Sequence, residues 1–328
     1  MLKYIARRIL YMIPTLLVIS IVTFVVIQLP PGDFLTSLAA TLSSQGVEIE
    51  RGQLELLKSQ YGLDQPFAVQ YFKWISGILL RGDFGFSFQW NQSVGRLIWG
   101  QLGLTVVLSA ATLLFIWIIA FPIGIYSAVR KYSVGDYVAT FFGFIGLATP
   151  SFLFALVLMY VWFAWFGQSV GGLFSPQYSD APFSLAKVWD FLKHLVVPMI
   201  VLGTGGAASL IRIMRANLLD ELSKPYVVTG RAKGLKEFRL LMKYPVRAAL
   251  NPFVSTVGWY LPTLVSGATV VAIVLSLPTT GPLLYQALIS QDMYLAGSFL
   301  LMLSTLTVIG TLVSDILLAA LDPRIRLG

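Results

Sequence analysis

Long apolar stretches separated by short polar segments dominate this chain. Six mainly apolar stretches, each 17 to 30 residues long, occur at residues 9–29, 101–129, 137–166, 195–211, 252–277 and 294–321. About 20 apolar residues in a helix cross the hydrocarbon core of a bilayer. The pattern therefore predicts an all-α polytopic membrane protein with six transmembrane helices, its chain passing back and forth between two aqueous faces.

The first apolar stretch has a second interpretation, because Lys3, Arg7 and Arg8 precede it and a basic start before an apolar run is typical of a signal peptide. The uncharged run of 21 residues exceeds the 7–15 residues of a signal h-region, and no clear Ala-x-Ala site follows. We therefore favour a spanning helix over a cleaved signal.

Composition supports the membrane assignment and removes several kinds of site. Hydrophobic residues make up 57% of the 328, and charged residues 12%, about half of what a soluble domain carries. There is no cysteine, which excludes disulfides and thiolate metal sites. His194 is the single histidine; we expect it at the membrane interface, without a metal or catalytic role.

Charge asymmetry predicts the topology. Six spans place both termini on one side together with residues 130–136 and 212–251, and this side carries 16 basic and 5 acidic residues. The opposite side carries 7 basic and 9 acidic residues. By the positive-inside rule the basic side is cytoplasmic. The net charge of +8 thus follows from topology and requires no nucleic-acid partner.

Residues 212–251 form the main polar island of the second half, with nine basic and three acidic residues. A short helix from Tyr226 is predicted to end at Gly234, since glycine adopts the left-handed conformation at helix ends without a Cβ penalty. A second short helix is predicted from Leu235 to about Lys243, before Pro245. This island is either a solvated basic loop or a compact knob that docks into another protein.

The order of residues in the island favours docking. Tyr226, Thr229 and Arg231-Ala232-Lys233-Gly234-Leu235, followed by Asn251-Pro252, resemble the cytoplasmic coupling loop of ABC-transporter permeases in the dipeptide/oligopeptide/nickel importer family. Gly230 replaces the alanine usual in that family, and we expect a looser first helix because glycine costs about 1 kcal/mol of helix propensity. The resemblance implies that residues 226–235 couple to an ATPase.

Further segments carry the same resemblance in family order. These are the stretch from Arg7 to Leu16, Tyr61-Gly-Leu-Asp-Gln-Pro66, Gly82-Asp-Phe-Gly-Phe-Ser87 and the terminus Asp322-Pro-Arg-Ile-Arg326. The implied architecture is a type I importer permease fold. It comprises a first helix (residues 1–29), a helical extracytoplasmic insertion (30–100, with candidate helices at 53–60 and 67–80) and a core of five further spans (101–328) that carries the coupling loop 212–251.

Several residues are candidates for the solute conduit or its gate. Pro150-Ser151 interrupts the third span, which we expect to kink there. Gly205 lies in a run of small residues that allows close helix packing, and Gly267 lies in the fifth span. Each also fits ordinary membrane-helix packing. Ala272 stands where the family usually has a glutamate, which leaves the cargo open between peptides and oligosaccharides.

Asp315 is the one carboxylate inside a predicted span. An intramembrane carboxylate is a functional candidate by default, and a proton relay is one interpretation. Asp315 lies about two turns from the cytoplasmic end, so we favour a structural ion pair with an arginine of the polar island.

Catalytic motifs are missing. The sequence contains no Gly-x-x-x-x-Gly-Lys-[Ser/Thr] phosphate loop and no hydrolase signature, so we expect no enzyme activity and no cofactor bound by this chain. The resemblance implies partners: a second homologous permease, two ATPases that bind ATP-Mg, and an extracytoplasmic solute-binding protein, all at the inner membrane. The competing hypotheses are an ion-coupled secondary transporter and a purely structural membrane subunit.

Overall fold

The computed structural model describes residues 2–29, 59, 64–87, 89–167, 170–179, 181–251, 253 and 269–321. The helices there are α1 (Leu2–Gln28), α2 (Phe67–Arg81), α3 (Val94–Val129), α4 (Val134–Ala148), α5 (Ser151–Phe166), α6 (Leu185–Leu222), α7 (Pro225–Ala232), α8 (Glu237–Lys243), α9 (Pro245–Ala249), α10 (Thr269–Val274), α11 (Thr280–Ile289) and α12 (Met293–Leu321). A 3₁₀ turn (Pro176–Tyr178) and one antiparallel pair, β1 (Phe86–Ser87) with β2 (Gln92–Ser93), complete them. The predicted all-α class is confirmed.

Four of these helices, α1, α3, α6 and α12, are long and apolar enough to cross a membrane. The pair α4 and α5 adds a fifth candidate if the two helices are one broken span. Most of the predicted fifth span, residues 252–277, lies outside the described residues. The total of six spans therefore stays a prediction, while a multi-pass membrane protein is confirmed.

The third predicted span differs from the expected kinked helix. α4 ends at Ala148 and α5 begins at Ser151, with the two axes bent by 104°. Thr149 is extended (φ −83°, ψ 120°), because a residue that precedes proline is disfavoured in helical angles. Pro150 then occupies the cap position of α5. The proline thus ends one helix and starts another.

Helix boundaries extend beyond the apolar stretches. α6 begins at Leu185, ten residues before the predicted start, because Ser184 caps it: its Oγ accepts a hydrogen bond from the Lys187 N–H. The predicted loop at 167–193 is therefore wrong from residue 185 onward. α6 also continues to Leu222, so the first turns of the polar island are helical. Hydropathy marks only the apolar part of a helix, and polar turns continue it into water.

The chain forms two compact units. The first comprises residues 1–5, 106–278 and 309–328. Its main core joins α3, α6 and α9 through Ile116, Met214, Leu218 and Val246, all fully or almost fully buried. A Cβ on Gly203 would lie 2.5 Å from the Phe115 ring, so this glycine permits the close α3–α6 contact. This confirms the packing interpretation for that glycine of the small-residue run.

The second unit comprises residues 6–105 and 279–308. One core joins α3, α11 and α12 around Phe299, and another joins α1, α2 and α12 around Phe24, Trp74 and Leu301. The predicted helix at 67–80 is confirmed as α2. The other predicted insertion helix, residues 53–60, lies outside the described residues except for Ser59.

Candidate functional site

The polar island contains three short helices, α7, α8 and α9, which we call the knob (residues 224–250). Pro225 starts α7 at the first helical position, where a missing N–H costs nothing. α8 ends at Lys243, as predicted from the following proline. α9 then begins at Pro245 and was not predicted. The knob is therefore a compact helical structure rather than an extended loop.

The turn from α7 to α8 is closed at Gly234. Its φ is +74°, in the left-handed region, as the sequence predicts. The Leu235 N–H donates to the Gly230 carbonyl (3.2 Å) and the Gly234 N–H donates to the Arg231 carbonyl (2.9 Å). These two bonds form a Schellman motif, which satisfies the last carbonyls of α7. The exposed turn is thereby fixed by the backbone itself.

Gly230 has a packing role that helix propensity did not predict. It is buried, and a Cβ there would lie 2.4 Å from Cδ1 of Leu240 in α8. Leu240 is fully buried, so its side chain fills the space that the glycine leaves. The prediction of a looser α7 did not take this contact into account. The contact holds α7 and α8 close together.

Charged side chains tie the ends of the knob helices. Arg231 forms a two-pronged ion pair with Glu237, with Nη2–Oε1 2.6 Å and Nε–Oε2 3.1 Å. Arg231 lowers the pKa of the Glu237 carboxyl. At the entry to the knob, Glu221 accepts hydrogen bonds from Lys224 Nζ and from the Tyr226 hydroxyl. Burial of the Tyr226 phenol is the largest cause of its raised pKa, and its hydrogen bond to Glu221 raises the pKa further.

The outer surface of the knob is basic and partly apolar. Ala232, Lys233, Gly234 and Lys236 are exposed. Phe238 is 76% exposed and Val228 59%. An aromatic side chain surrounded by cations on an otherwise polar surface is typical of an interaction anchor. Sequence reasoning missed Phe238, although an aromatic residue in a basic segment was a visible signal.

The knob is attached to the long helix α6 through α9. Val246 and Ala249 of α9 belong to the same buried cluster as Met214 and Leu218 of α6. Thr229 is exposed on α7, where its Oγ1 donates to the Pro225 carbonyl (2.9 Å). Because α9 is packed into the core, a force applied to the knob acts on α6.

An ion pair with a buried carboxylate then joins α6 to the start of α4. Arg215 Nε lies 2.8 Å from Asp136 Oδ1, and Nη2 lies 2.8 Å from Oδ2. Asp136 also accepts the Tyr132 N–H (2.8 Å) and is only 2% exposed. From the sequence, Asp136 was counted only among the charges of residues 130–136. A lone acid opening an apolar helix, in a chain with excess arginine, was the signal available.

The conduit candidates lie in separate places. Pro150 and Ser151 are exposed at the α4–α5 break, and Gly205 is half-buried in α6 with Gly146 as its nearest neighbour across the helix pair. Gly267 lies outside the described residues. Ala272, in α10, is 1% exposed. Asp315 is half-buried in α12, and its pairing with an island arginine stays a prediction.

The motif Gly82–Ser87 of the second unit is a folded turn. Gly82 ends α2 with φ +64° and Gly85 has φ +93°. Ser87 Oγ donates to Asp292 Oδ2 (2.5 Å), and Asp292, which is fully buried, also accepts the Leu295 N–H at the start of α12. Asp292 was not singled out from sequence.

The single histidine, His194, lies inside α6, with its Nδ1 2.9 Å from the Asp190 carbonyl oxygen. The described residues contain no metal-ligand cluster.

Comparison with known proteins adds two family matches. Residues 120–327 match the model for the binding-protein-dependent transport system inner membrane component, and residues 1–109 match the N-terminal model of such membrane components. The chain is 36% identical to an oligopeptide transport system permease protein of Bacillus subtilis strain 168, over 99% of this chain and 100% of the relative.

Two further relatives have similar coverage. A putative peptide permease protein of Brucella ovis is 34% identical, over 99% of both chains. A dipeptide transport system permease protein of Escherichia coli K12 is 30% identical, also over 99% of both chains.

Proposed function

We propose that this chain, which belongs to the family of binding-protein-dependent transport system inner membrane components, forms half of a conduit for short peptides and is driven by a cytoplasmic ATPase. Family membership and the apolar helices identify a multi-pass membrane permease of an importer. The cargo, the site of coupling and the orientation are the parts that we propose.

The observation that carries the coupling proposal is the construction of the knob. Its backbone is fixed by the Schellman turn at Gly234 and by the Gly230–Leu240 contact. Its surface presents cations and the exposed ring of Phe238. A rigid projection with an aromatic anchor fits a groove on a partner protein, since little entropy is lost when it docks.

Motion of the partner reaches the membrane helices through two contacts. α9 is packed against α6, so a displaced knob displaces α6. The Arg215–Asp136 pair then transmits the motion to α4, because breaking it would leave a charge buried without its partner. We propose that closure of an ATPase pair around ATP-Mg rocks these helices and switches the conduit between its two openings.

Short peptides are the proposed cargo. The relatives with near-complete coverage are named as oligopeptide, peptide or dipeptide permeases, and none of these names points to the oligosaccharide alternative. Ala272 is a buried alanine in place of the carboxylate usual in the family. Because Ala272 is uncharged, it repels neither the ammonium group nor the carboxylate group at the ends of a peptide.

The proposed assembly contains a second permease, two ATPases and an extracytoplasmic binding protein. The excess of basic residues on the side of the knob supports a cytoplasmic position for both termini and the knob. Pro150, Ser151, Gly205 and Gly267 remain proposed conduit or gate positions. Asp315 remains a proposed ion-pair partner for an island arginine.

Reconstitution of the full complex in proteoliposomes tests the proposal. Uptake of a labelled peptide should require ATP and the binding protein, and should ignore proton and sodium gradients. Lys233→Glu reverses a charge on the docking surface, and Gly234→Pro cannot adopt φ +74°. Both should abolish uptake and ATPase binding while membrane insertion stays normal.

Lys131→Glu is the matched control. Lys131 is exposed in the turn between α3 and α4, on the same proposed face but outside the knob. We expect near-normal uptake for this variant. Full uptake by both knob variants would contradict the docking role, and uptake driven by an ion gradient without ATPase would select the secondary transporter.

A further inference from the structure

The second unit contains a cavity of about 560 Å³ between α2, residues 82–93 and the start of α12. Binding sites for small molecules have volumes of about 300–1,000 Å³. In the sequence, Gly82–Ser87 carries only the family resemblance, and no site is predicted there. Because the positive-inside rule places residues 30–100 outside, this cavity faces the compartment from which a solute arrives.

One face of α2 forms one wall and carries two cations. Lys73, Gly77 and Arg81 follow one another at intervals of four residues, so they lie on one face of α2. Gly77 is buried between them, and a Cβ there would lie 3.1 Å from the Asp83 carbonyl oxygen and 3.9 Å from Arg81 Nη2. The glycine therefore lets the returning chain at Asp83 lie close against α2, beside the two cations.

The opposite walls are held in place by backbone contacts. The Asp83 N–H donates to the Gly77 carbonyl (3.0 Å), which folds the chain back over the end of α2. Gly85 passes so close to Tyr294 that an added Cβ would lie 3.0 Å from the ring. Trp74, 5% exposed, closes the base. The cavity is thus preformed and has aromatic surfaces.

The two cations are available to a ligand. Among residues 64–87, 89–167 and the other described ranges, neither the Lys73 ammonium nor the Arg81 guanidinium forms an ion pair or hydrogen bond. Of the described residues that line the cavity, Asp83 is the one acid, and its Oδ1 accepts the Gly85 N–H (2.9 Å). The cavity therefore carries a net positive charge with one carboxylate at its side.

We propose that this cavity binds a short peptide by its C-terminal carboxylate before the peptide enters the conduit. Two cations that line one wall of the cavity suit a carboxylate, which accepts several charge-assisted hydrogen bonds. Asp83 suits the ammonium at the other end of a zwitterionic peptide, and the Trp74 and Tyr294 rings suit its side chains. The proposal rests on peptide import as the proposed function.

Equilibrium binding to the assembled complex in nanodiscs, without the binding protein, tests the site. The probes are trialanine and trialaninamide, which differ only in the terminal carboxylate. We expect trialanine to bind at least tenfold more tightly than its amide, the ratio that about 1.4 kcal/mol of charge-assisted bonding provides. Lys73→Gln combined with Arg81→Gln should remove this preference.

Arg96→Gln is the control for lost positive charge. Arg96 is exposed in the first turn of α3, in the same unit, and does not line the cavity. This variant should retain the preference for the free acid. Circular dichroism of each variant checks that the fold is intact, and the acid–amide comparison on the unaltered protein stands whether or not a variant folds.

Four results would overturn the proposal. The first three are no trialanine binding up to about 10 mM, equal affinity for acid and amide, and a double variant that keeps the preference. The fourth is a double variant that loses affinity for the binding protein but not for trialanine, which would reassign the cations to a docking surface. Uptake of trialanine by the same complex with ATP separates the two proposals, because uptake without site binding rejects only this cavity.

Discussion

The knob and the α2 turn use glycine in different ways. Gly230 in α7 leaves a space that the Leu240 side chain of α8 fills, whereas Gly77 in α2 lets the Asp83 backbone approach beside a cavity that two cations line. Both helices end at a left-handed glycine, Gly234 or Gly82. The surrounding residues decide the difference, since Leu240 is a large apolar side chain and the α2 turn brings back only Asp83 and Gly85.

The contrast matches the proposed roles. A region that transmits force gains from being filled, because close packing resists deformation. A region that receives a solute gains from an open volume with unpaired charge. Five substitutions test this contrast, from the largest expected effect on stability to the smallest.

Gly230→Leu should have the largest effect. Overpacking a filled contact costs about 1–3 kcal/mol, and we expect the upper end because the first added carbon already lies 2.4 Å from Leu240. Thermal unfolding of the purified complex and ATP-driven uptake should both fall. A double-mutant cycle of Gly230→Ala with Leu240→Ala should be strongly non-additive, and additivity would argue against the contact.

Gly234→Ala and Gly82→Ala should each cost about 1–2 kcal/mol, since an alanine at positive φ is strained. Neither added Cβ has a neighbour within 4 Å, so backbone strain is the whole effect. The readouts should separate. Gly234→Ala should weaken ATPase binding, and Gly82→Ala should weaken trialanine binding. If both substitutions impaired the same step, the two regions would not have the separate roles proposed here.

Glu237→Gln should have a smaller effect, below about 1 kcal/mol, because both partners of the Arg231–Glu237 pair are about half exposed. The pKa of Glu237 is lowered in the folded chain. Its contribution is therefore present above the ordinary value of 4.5 and is lost as the pH falls through the lowered value. Unfolding measured against pH should show the variant converging with the unaltered chain at acidic pH.

Gly77→Ala should leave stability almost unchanged. Alanine gains up to about 1 kcal/mol of helix propensity, and the 3.1 Å approach to the Asp83 carbonyl offsets that gain. Trialanine binding should nevertheless weaken several-fold, because the methyl group displaces the turn that brings Asp83 and Gly85 to the cavity. Unchanged binding would show that the position of this turn does not shape the site.

Sequence reasoning succeeded where a local rule applied. Gly234 was predicted in the left-handed conformation because only its own backbone decides that, and α8 was predicted to stop before Pro245 for the same kind of reason. The helix α2 followed from its composition. The start of α6 was missed because hydropathy does not register polar helical turns.

Local rules could not predict contacts between residues that are distant in the sequence. Arg215 and Asp136 are 79 residues apart, and Ser87 and Asp292 are 205 apart. One arginine among nine basic residues in the island could not be matched to one acid from spacing alone. The cavity beside Gly77 likewise depends on how the turn after α2 brings Asp83 and Gly85 back against that helix.

The chain by itself determined the membrane class, the family and the helix α7 that ends at Gly234, because each depends on composition or on neighbouring residues. The tertiary structure alone decided that Gly230 is filled by Leu240, that Asp136 holds Arg215 and that Lys73 and Arg81 face an open cavity. The physical reason is that burial and charge pairing are properties of the space between elements, which no single segment contains.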